Sequence, residues 1–346
     1  MQDAVVSVVV PTLVGGQRFL ECLNALARQT YRDFEVIVVD NSGRNLAGQA
    51  LSPANPATRE TFPNWLCLLE NPRNVGFGAA INQAVAATSS PFVATLNDDA
   101  VPNPRWLEAL LRGIERRPDA GMCASRVCFY GEDCLDSAGM LVASDGSSKQ
   151  RGHGRASWEF PVSEETLFPS ASAALYRRAM LEAIGGFDES FFLYCEDTDL
   201  GLRARWAGWK CLYVPDAVVE HHYSQTAGRA SPLKAYYVER NRLFVLAKNF
   251  PAPLLFVAPF ISAARYFWHT WYLLSGHGAA ARFRAEGHAG ARMLWYVLRA
   301  HCALIRHAVG LWRERRRIRA HARITPAVFR HLVRSHSISA RKVAAL

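Results

Sequence analysis

Short, continuous apolar runs alternate with stretches in helical spacing along the front two thirds of the chain. Residues 5–10, closed by Pro11, read as a strand buried on both faces. Residues 17–29 place Phe19, Leu20, Leu23 and Leu26 on one helical face. Residues 34–39 are apolar throughout and end at Asp40. Strand, helix and strand in this order form a βαβ unit and predict a parallel sheet. Residues 65–69 and 92–96 predict two more strands, and residues 77–87 and 104–116 predict helices, with Pro104 placed to start the second. Residues 122–129 predict a further strand. The Pro-, Asn- and Ala-rich stretch 45–63 reads as a loop. Residues 130–168 are rich in Gly and Ser and predict a short hairpin among irregular loops. Regular patterning resumes at 172–176, 177–184, 197–207 and 210–214, followed by a strand-like 217–219.

The back end is patterned differently. Residues 254–274 are almost continuously apolar, with Phe256, Phe260, Phe267, Trp271 and Leu274 near one helical face. Pro259, Arg265 and His269 interrupt the run, which favours an interfacial or re-entrant helix over a membrane span. Trp295, Leu298, Cys302, Ile305, Val309 and Trp312 then form an apolar seam. Arg292, Arg299, Arg306 and Arg313 recur beside it, and Arg315, Arg316 and Arg317 extend the charge. A basic amphipathic helix of this kind fits an anionic bilayer surface. The alternative is a seam packed on the rest of the chain or on another subunit.

Charge sharpens that contrast. Residues 231–346 carry 20 Lys/Arg against 3 Asp/Glu, and residues 1–230 carry 20 against 27. The net +10 therefore averages an acidic front and a basic back, and the back implies an anionic partner. Nucleic acid fits less well than a membrane, because the basic residues flank a Trp-containing apolar seam. The 346 residues allow two domains. The eight cysteines form no CxxC pair and read as scattered core thiols in a reducing compartment. The N-terminus enters residues 5–10 with neither a basic leader nor a cleavage site, so no signal peptide is expected.

Candidate chemistry sits at strand ends and at one helix start. Asp40 ends the second strand, where ligands of open parallel sheets bind, although Asp40-Asn41-Ser42 is also ordinary turn chemistry. Arg73, Asn74, Gly76 and Gly78 lead into a helix whose N-terminus favours anions. This stretch half matches a dinucleotide fingerprint, which leaves an NAD(P)-dependent oxidoreductase as the alternative. Asn97-Asp98-Asp99 follows the fourth strand. Two adjacent acids there are expected to face a site, since burying unpaired charge is costly. Glu196 and Asp197 open a helix behind the aromatic run Phe191-Phe192-Leu193-Tyr194. Helix-start acids can be simple caps, but a carboxylate beside aromatics also suits a sugar pocket. His221 could complete a metal shell with Asp99, because imidazole plus carboxylate suits Mn²⁺.

Taken in order, these pieces resemble the family 2 glycosyltransferases of the GT-A fold, in particular their rhamnosyltransferase-like bacterial branch. The motifs are Val8–Thr12, Val38–Ser42, Asn74–Gly78, Leu96–Ala100, Gly185–Glu189, Glu196–Leu200 with Arg203, and His221, and the resemblance extends to Glu239-Arg240-Asn241-Arg242. It implies an α/β fold with a mixed, mostly parallel sheet flanked by helices, followed by C-terminal amphipathic helices. The implied division is a catalytic domain over 1–230 and a basic helical region over 231–346. Residues 1–129 would hold the nucleotide-sugar and 130–230 the acceptor and base. The resemblance assigns donor binding to Thr12, Asp40, Arg73, Asn74, Gly76 and Asp98. It assigns acceptor binding to Gly186, Phe187, Asp188 and Glu196, a divalent metal (Mn²⁺ or Mg²⁺) to Asp99 and His221, and the catalytic base to Asp197. It implies an inverting transfer from a nucleotide-sugar to a lipid-linked or polysaccharide acceptor. dTDP-L-rhamnose is the favoured donor, with UDP- and GDP-sugars as alternatives. The expected place is the cytoplasmic face of a bacterial inner membrane, held peripherally, with homo-oligomers a further possibility and no nucleic-acid partner.

Overall fold

The computed structural model describes residues 4–52, 66–222, 231–285 and 290–346. In chain order the first elements are β1 (Val6–Thr12), α1 (Gln17–Ala27), β2 (Phe34–Asp40), α2 (Leu46–Ala50), β3 (Leu66–Glu70) and α3 (Phe77–Ala86). Next come β4 (Phe92–Leu96), β5 (Ala100–Pro102), α4 (Trp106–Glu115), β6 (Ala120–Phe129), β7 (Leu135–Ser137), β8 (Met140–Val142) and β9 (Ser148–Gln150). They are followed by β10 (Glu164–Thr166), β11 (Ala173–Arg177), α5 (Arg178–Ile184), α6 (Glu196–Trp206) and β12 (Lys210–His221). The C-terminal helices are α7 (Pro232–Asn249), α8 (Ala252–Leu274), α9 (Gly278–Ala285), α10 (Gly290–Arg306), α11 (Ala308–Ala320), α12 (Pro326–Ser335) and α13 (Ala340–Ala345).

The chain divides into two compact units. One comprises Met1–Gly139, Gln150–Phe192 and Trp209–Tyr223, and the other Met140–Lys149, Leu193–Gly208 and Ser224–Leu346. The boundary expected at 230 is thus replaced by a discontinuous one. The hairpin β8–β9 and the helix α6 group with the C-terminal helices.

The first unit is built on one sheet of order β10-β12-β6-β11-β4-β1-β2-β3. β3, β2, β1 and β4 are parallel, as their continuous apolar runs require, and β11 is antiparallel to β4. Val6, Val8, Val10, Val36 and Val38 are fully buried against Phe19, Leu23 and Leu26 of α1 and Trp106, Leu110 and Ile114 of α4. β1 lies between β2 and β4, so the strand order reverses there and a crevice opens beyond the carboxyl ends. Thr12, Asp40 and Asn97–Asp99 all stand at those ends. Two expected strands, 210–214 and 217–219, are one: β12 runs through both, with a register shift between Val214 and Val218 where Pro215 stands. The expected loop 45–63 contains α2, and its residues 53–63 lie outside the described ones, as does Trp65 of the third expected strand.

In the second unit α6 is enclosed by helices from the far end of the chain. Trp206 stacks on Phe329 with ring centroids 4.2 Å apart, and its Nε1–H donates to the Asn249 carbonyl at 3.0 Å. Asp199, fully buried, accepts from Arg203 (2.7 Å), Lys248 (2.9 Å) and Asn249 (2.9 Å). The Arg203 of the sequence motif is therefore an internal partner of Asp199. Residues 254–274 form one helix through Pro259, with Phe256, Phe260, Phe267, Trp271 and Leu274 exposed and Leu254, Ala258 and Arg265 buried. The seam expected as one helix is divided at His307 between α10 and α11. Its residues Trp295, Leu298, Cys302, Ile305, Val309 and Trp312 are exposed, so the seam is not packed on its own unit. Among the described residues no helix is long and apolar enough to cross a membrane. The expected core thiols are buried at Cys22, Cys123, Cys128, Cys195 and Cys211, whereas Cys67 and Cys302 are exposed.

Candidate active site

Beyond β4 the chain turns through Asn97-Asp98-Asp99, and each acid is handled differently. Asp98 lies 2.5 Å from Thr12 Oγ1, a contact that crosses from β4 to the end of β1. Burial pushes the Asp98 carboxyl up to about 6, against the pull of the Thr12 hydrogen bond, and the neighbouring charge of Asp99 adds to the rise. Asp99 faces His221, with Oδ1 and Nε2 3.1 Å apart. Burial alone would raise Asp99, but the hydrogen bond and charge of His221 outweigh it and hold the carboxyl below its ordinary value. β5 pairs with β12 in the register His221↔Ala100, which is what brings the histidine beside the acids.

The other ring nitrogen of His221 meets Asp136, at 2.8 Å from Nδ1 to Oδ2. Burial works against a charged imidazole, yet Asp136 and Asp99 together raise His221 to about 10. Asp136, at 2% exposure, also lies 3.3 Å from His153 Nδ1. Sequence reasoning missed Asp136, because it sits in the Gly- and Ser-rich middle with no motif around it. His222 flanks the pair: its N–H donates to the Asp99 carbonyl at 3.0 Å, and its ring stacks on Tyr130.

The donor-loop residues are largely held by one another. Asp40 accepts from the Ser42 N–H (2.8 Å) and the Ala47 N–H (2.7 Å), so its carboxylate closes a turn and caps α2. Asn74 Oδ1 accepts from the Gly76 N–H at 2.9 Å. Gly76 has φ +93°, and a Cβ there would lie 2.5 Å from the Phe192 carbonyl oxygen. Gly78 is closed by the Phe187 side chain. Both glycines let the loop 187–192 approach closely. Arg73 remains exposed at the edge of this loop.

Gly186, Phe187 and Asp188 are locked to α3. The Phe187 N–H donates to Asn82 Oδ1 (2.9 Å) and its carbonyl accepts from Asn82 Nδ2 (2.8 Å). Its ring packs edge-on against Phe77 and Tyr176. Asp188 accepts from the Ser190 N–H at 2.9 Å. These residues shape a wall, and Phe187 itself is 2% exposed.

In the second unit, Glu196 and Asp197 open α6. Tyr194 (φ +69°) and Cys195 (φ +63°) stand before them in left-handed conformation, which L-residues rarely adopt. Asn241 of α7, fully buried, holds that segment by donating Nδ2–H to the carbonyls of Leu193 (2.8 Å) and Tyr194 (2.7 Å). Burial, and next the charge of Asp197, pushes the Glu196 carboxyl up to about 8.

Asp99 and His221 set a carboxylate beside an imidazole, donor types that suit a divalent cation. A carboxylate and an imidazole converge, and Asp136 behind Nδ1 fixes the ring so that Nε2 points at Asp99. Among the described residues no group of three or more His, Cys, Asp or Glu is placed to hold a metal ion. Further ligands would come from a bound diphosphate and water.

The chain is similar in sequence, and separately in fold, to known proteins. It is 30% identical over 258 residues to the N-acetylglucosaminyl-diphospho-decaprenol L-rhamnosyltransferase of Mycobacterium tuberculosis, which covers 67% of this chain and 81% of that protein. It is 28% identical over 235 residues to the O-antigen chain rhamnosyltransferase WbaN of Salmonella anatum, covering 64% and 67%. The solved structure of GalNAc-T7 with UDP, GalNAc and Mn²⁺ superposes with a TM-score of 0.58 at 13% identity, over 76% of this chain and 51% of that one. The mannosyltransferase PcManGT of Pyrobaculum calidifontis, in complex with GDP-Man and Mn²⁺, gives 0.50 at 17% identity, over 100% and 87%. Both structures share the mixed α/β GT-A-like architecture with flanking helices. Residues 7–185, about half of the chain, match the profile of Glycosyl transferase family 2, and with the 30% identical relative this shows that the chain belongs to that family.

Proposed function

We propose that this glycosyltransferase moves L-rhamnose from dTDP-L-rhamnose to a lipid-linked or cell-surface saccharide, inverting the anomeric carbon, with Asp197 as general base. The observation that carries the reading is the Asp99–His221 pair beyond the end of β4, backed by Asp136. It offers a divalent cation, Mn²⁺ or Mg²⁺, two protein ligands. The two relatives named as rhamnosyltransferases support the sugar, and the diphospho-decaprenol in the name of one supports a lipid-linked acceptor.

In this reading Thr12 and Asp98 border the donor diphosphate, while Asp40, Asn74 and Gly76 shape the loop from which the exposed Arg73 reaches the nucleotide. Gly186, Phe187, Asp188 and Glu196 border the acceptor. The bound cation supplies positive charge against the departing diphosphate. Asp197 takes the acceptor hydroxyl proton as that oxygen forms its bond to the anomeric carbon. The bond from that carbon to the diphosphate oxygen breaks, and its electron pair leaves with the nucleoside diphosphate. One displacement from the opposite face gives inversion.

The exposed apolar residues of α8, α10 and α11, flanked by Arg299, Arg306 and Arg313, serve in this reading to attach the enzyme to an anionic membrane surface. Co-sedimentation with anionic vesicles, lost at high salt, is the expected result. Co-sedimentation with duplex DNA alone, or self-association without vesicle binding, would remove that part of the reading. The transferase reading is tested by calorimetry with UDP, dTDP, GDP and NAD⁺, each with Mn²⁺ and with EDTA. Metal-dependent binding of dTDP supports it, metal-dependent binding of UDP or GDP replaces the donor, and binding of NAD⁺ alone overturns it.

A further inference from the structure

We propose that the hydroxyls of Thr198 and Ser148 form a relay that fixes the orientation of the Asp197 carboxylate, making both positioning residues for proton abstraction. The proposal rests on the reading of Asp197 as base. The backbone N–H of Thr198 donates to Asp197 Oδ1 at 2.6 Å, and its Oγ1–H donates to the same oxygen at 3.2 Å. An aspartate's outer torsion is otherwise broad, and two donors on one oxygen set the plane of the carboxylate. Thr198 is fully buried, and its Oγ1 lies 2.8 Å from Ser148 Oγ. A hydroxyl carries one proton. With that of Thr198 given to Asp197, Ser148 is placed to donate to Thr198, with the Cys195 thiol as its other partner, and the chain runs toward the carboxylate. Such chains polarise each bond in turn.

Ser148 can act this way because its hairpin is pinned. Asp145 at the turn is fully buried and accepts from Arg265 Nε at 2.8 Å, while its carbonyl accepts from Arg242 Nη1 at 3.1 Å. Both guanidiniums also meet Glu239. Gly146 has φ +82°, and a Cβ there would lie 2.5 Å from the Arg242 carbonyl oxygen. α7 and α8 thus hold β9 at a fixed height over the start of α6. Among the described residues, the titratable groups at this corner include Glu196 and the Cys195 thiol on the same segment, Lys149 beside Ser148 on β9, and Arg242 on α7, whose charge acts on that thiol.

The test is steady-state kinetics across pH on the full chain. Thr198→Val keeps the shape and removes the hydroxyl. It is expected to lower kcat by about tenfold, the size of one hydrogen bond, with donor KM unchanged. Hydrogen bonds to a carboxylate favour its charged form, so the acidic limb of the kcat profile should move to higher pH. Thr198→Ser should restore both, and Ser148→Ala should move both in the same direction by less. A Thr198→Val enzyme with wild-type kcat, a slower one with an unmoved limb, or a Thr198→Ser no better than Val would each overturn the relay. If Thr198→Val does not fold, Ser148→Ala decides, and a limb at its wild-type position sinks the idea. Asp197→Asn separates the two claims. Retained turnover removes base and relay together, whereas an inactive Asp197→Asn beside an unaltered Thr198→Val removes the relay alone.

Discussion

Asp99 and Asp199 are both buried acids, but the first unit partners its acid with an imidazole and the second with fixed cations. Asp99 meets His221, whose proton is shared with Asp136. Asp199 meets Lys248 and Arg203, with Asn249 filling its other oxygen. An imidazole can surrender its proton and offer a lone pair to a metal. A buried ammonium or guanidinium can offer nothing but charge. The first arrangement suits chemistry that exchanges a partner, and the second suits permanent construction. Asp197, separated by one residue from Asp199 in sequence, accepts from the amide and the hydroxyl of Thr198.

The comparison can be broken at four places. The largest effect belongs to Asp197→Asn, expected to lower turnover by about 10²–10⁴-fold, the usual contribution of a positioned base. Donor binding measured by calorimetry should remain intact, and wild-type turnover would end the assignment. Lys248→Met comes next. Removing one partner of a buried pair costs about 3–5 kcal/mol, so chemical denaturation should show a loss of that order, and an unchanged midpoint would mean that Asp199 is satisfied without it. Asp136→Asn should weaken Mn²⁺ binding by about 10–100-fold, the usual cost of losing the carboxylate behind a metal-bound imidazole. Equal affinities in a titration of the purified variant would place the cation elsewhere.

The smallest effect is on acid stability. Burial would raise Asp199 and Glu239, but their cationic partners hold both down to about 2, from ordinary values of 3.8 and 4.5. A depressed carboxyl contributes stability that is present above its unfolded value and lost as pH falls through the folded one. The second unit should therefore lose stability between about pH 4.5 and 2 as the pH falls, followed by tryptophan fluorescence in an acid titration. Glu239→Gln should flatten part of that dependence.

Much of the first unit was legible because its strands are continuous apolar runs and its longer helices carry one apolar face, so β1 to β4 and the helices α1, α3 and α4 fall where periodicity predicts, whereas the short α2 does not. The acids at strand ends were legible for the same reason: a charge that interrupts a buried run must have somewhere to go. What local pattern could not reveal were partners distant in sequence. Asp136 reaches His221 across 85 residues, and Arg265 reaches Asp145 across 120. Nor could the sequence show that the loop 187–192 lies against Gly76 and Gly78, because a small residue signals close approach without naming what approaches. The grouping of α6 with the C-terminal helices was equally hidden, since a nearly all-buried helix with acids in its first turn and arginines in its last has no apolar stripe to follow.

That grouping has a consequence for synthesis on the ribosome. The partners of α6 lie downstream: Asn249, which receives the Trp206 indole, is 43 residues further on, and Lys248 is 49 beyond Asp199. Phe329 and Arg319, which cover the two faces of Trp206, come close to the end of the chain. The emerging helix must therefore wait, with Asp199 paired to Arg203 of the same helix but lacking Lys248 and Asn249, and with an uncovered indole, for several seconds at about 5–20 residues per second. The first unit can assemble its parallel strands long before then. Any translational stall between 207 and 249 would leave a chain with its first four parallel strands complete and the helix bearing Asp197 unformed.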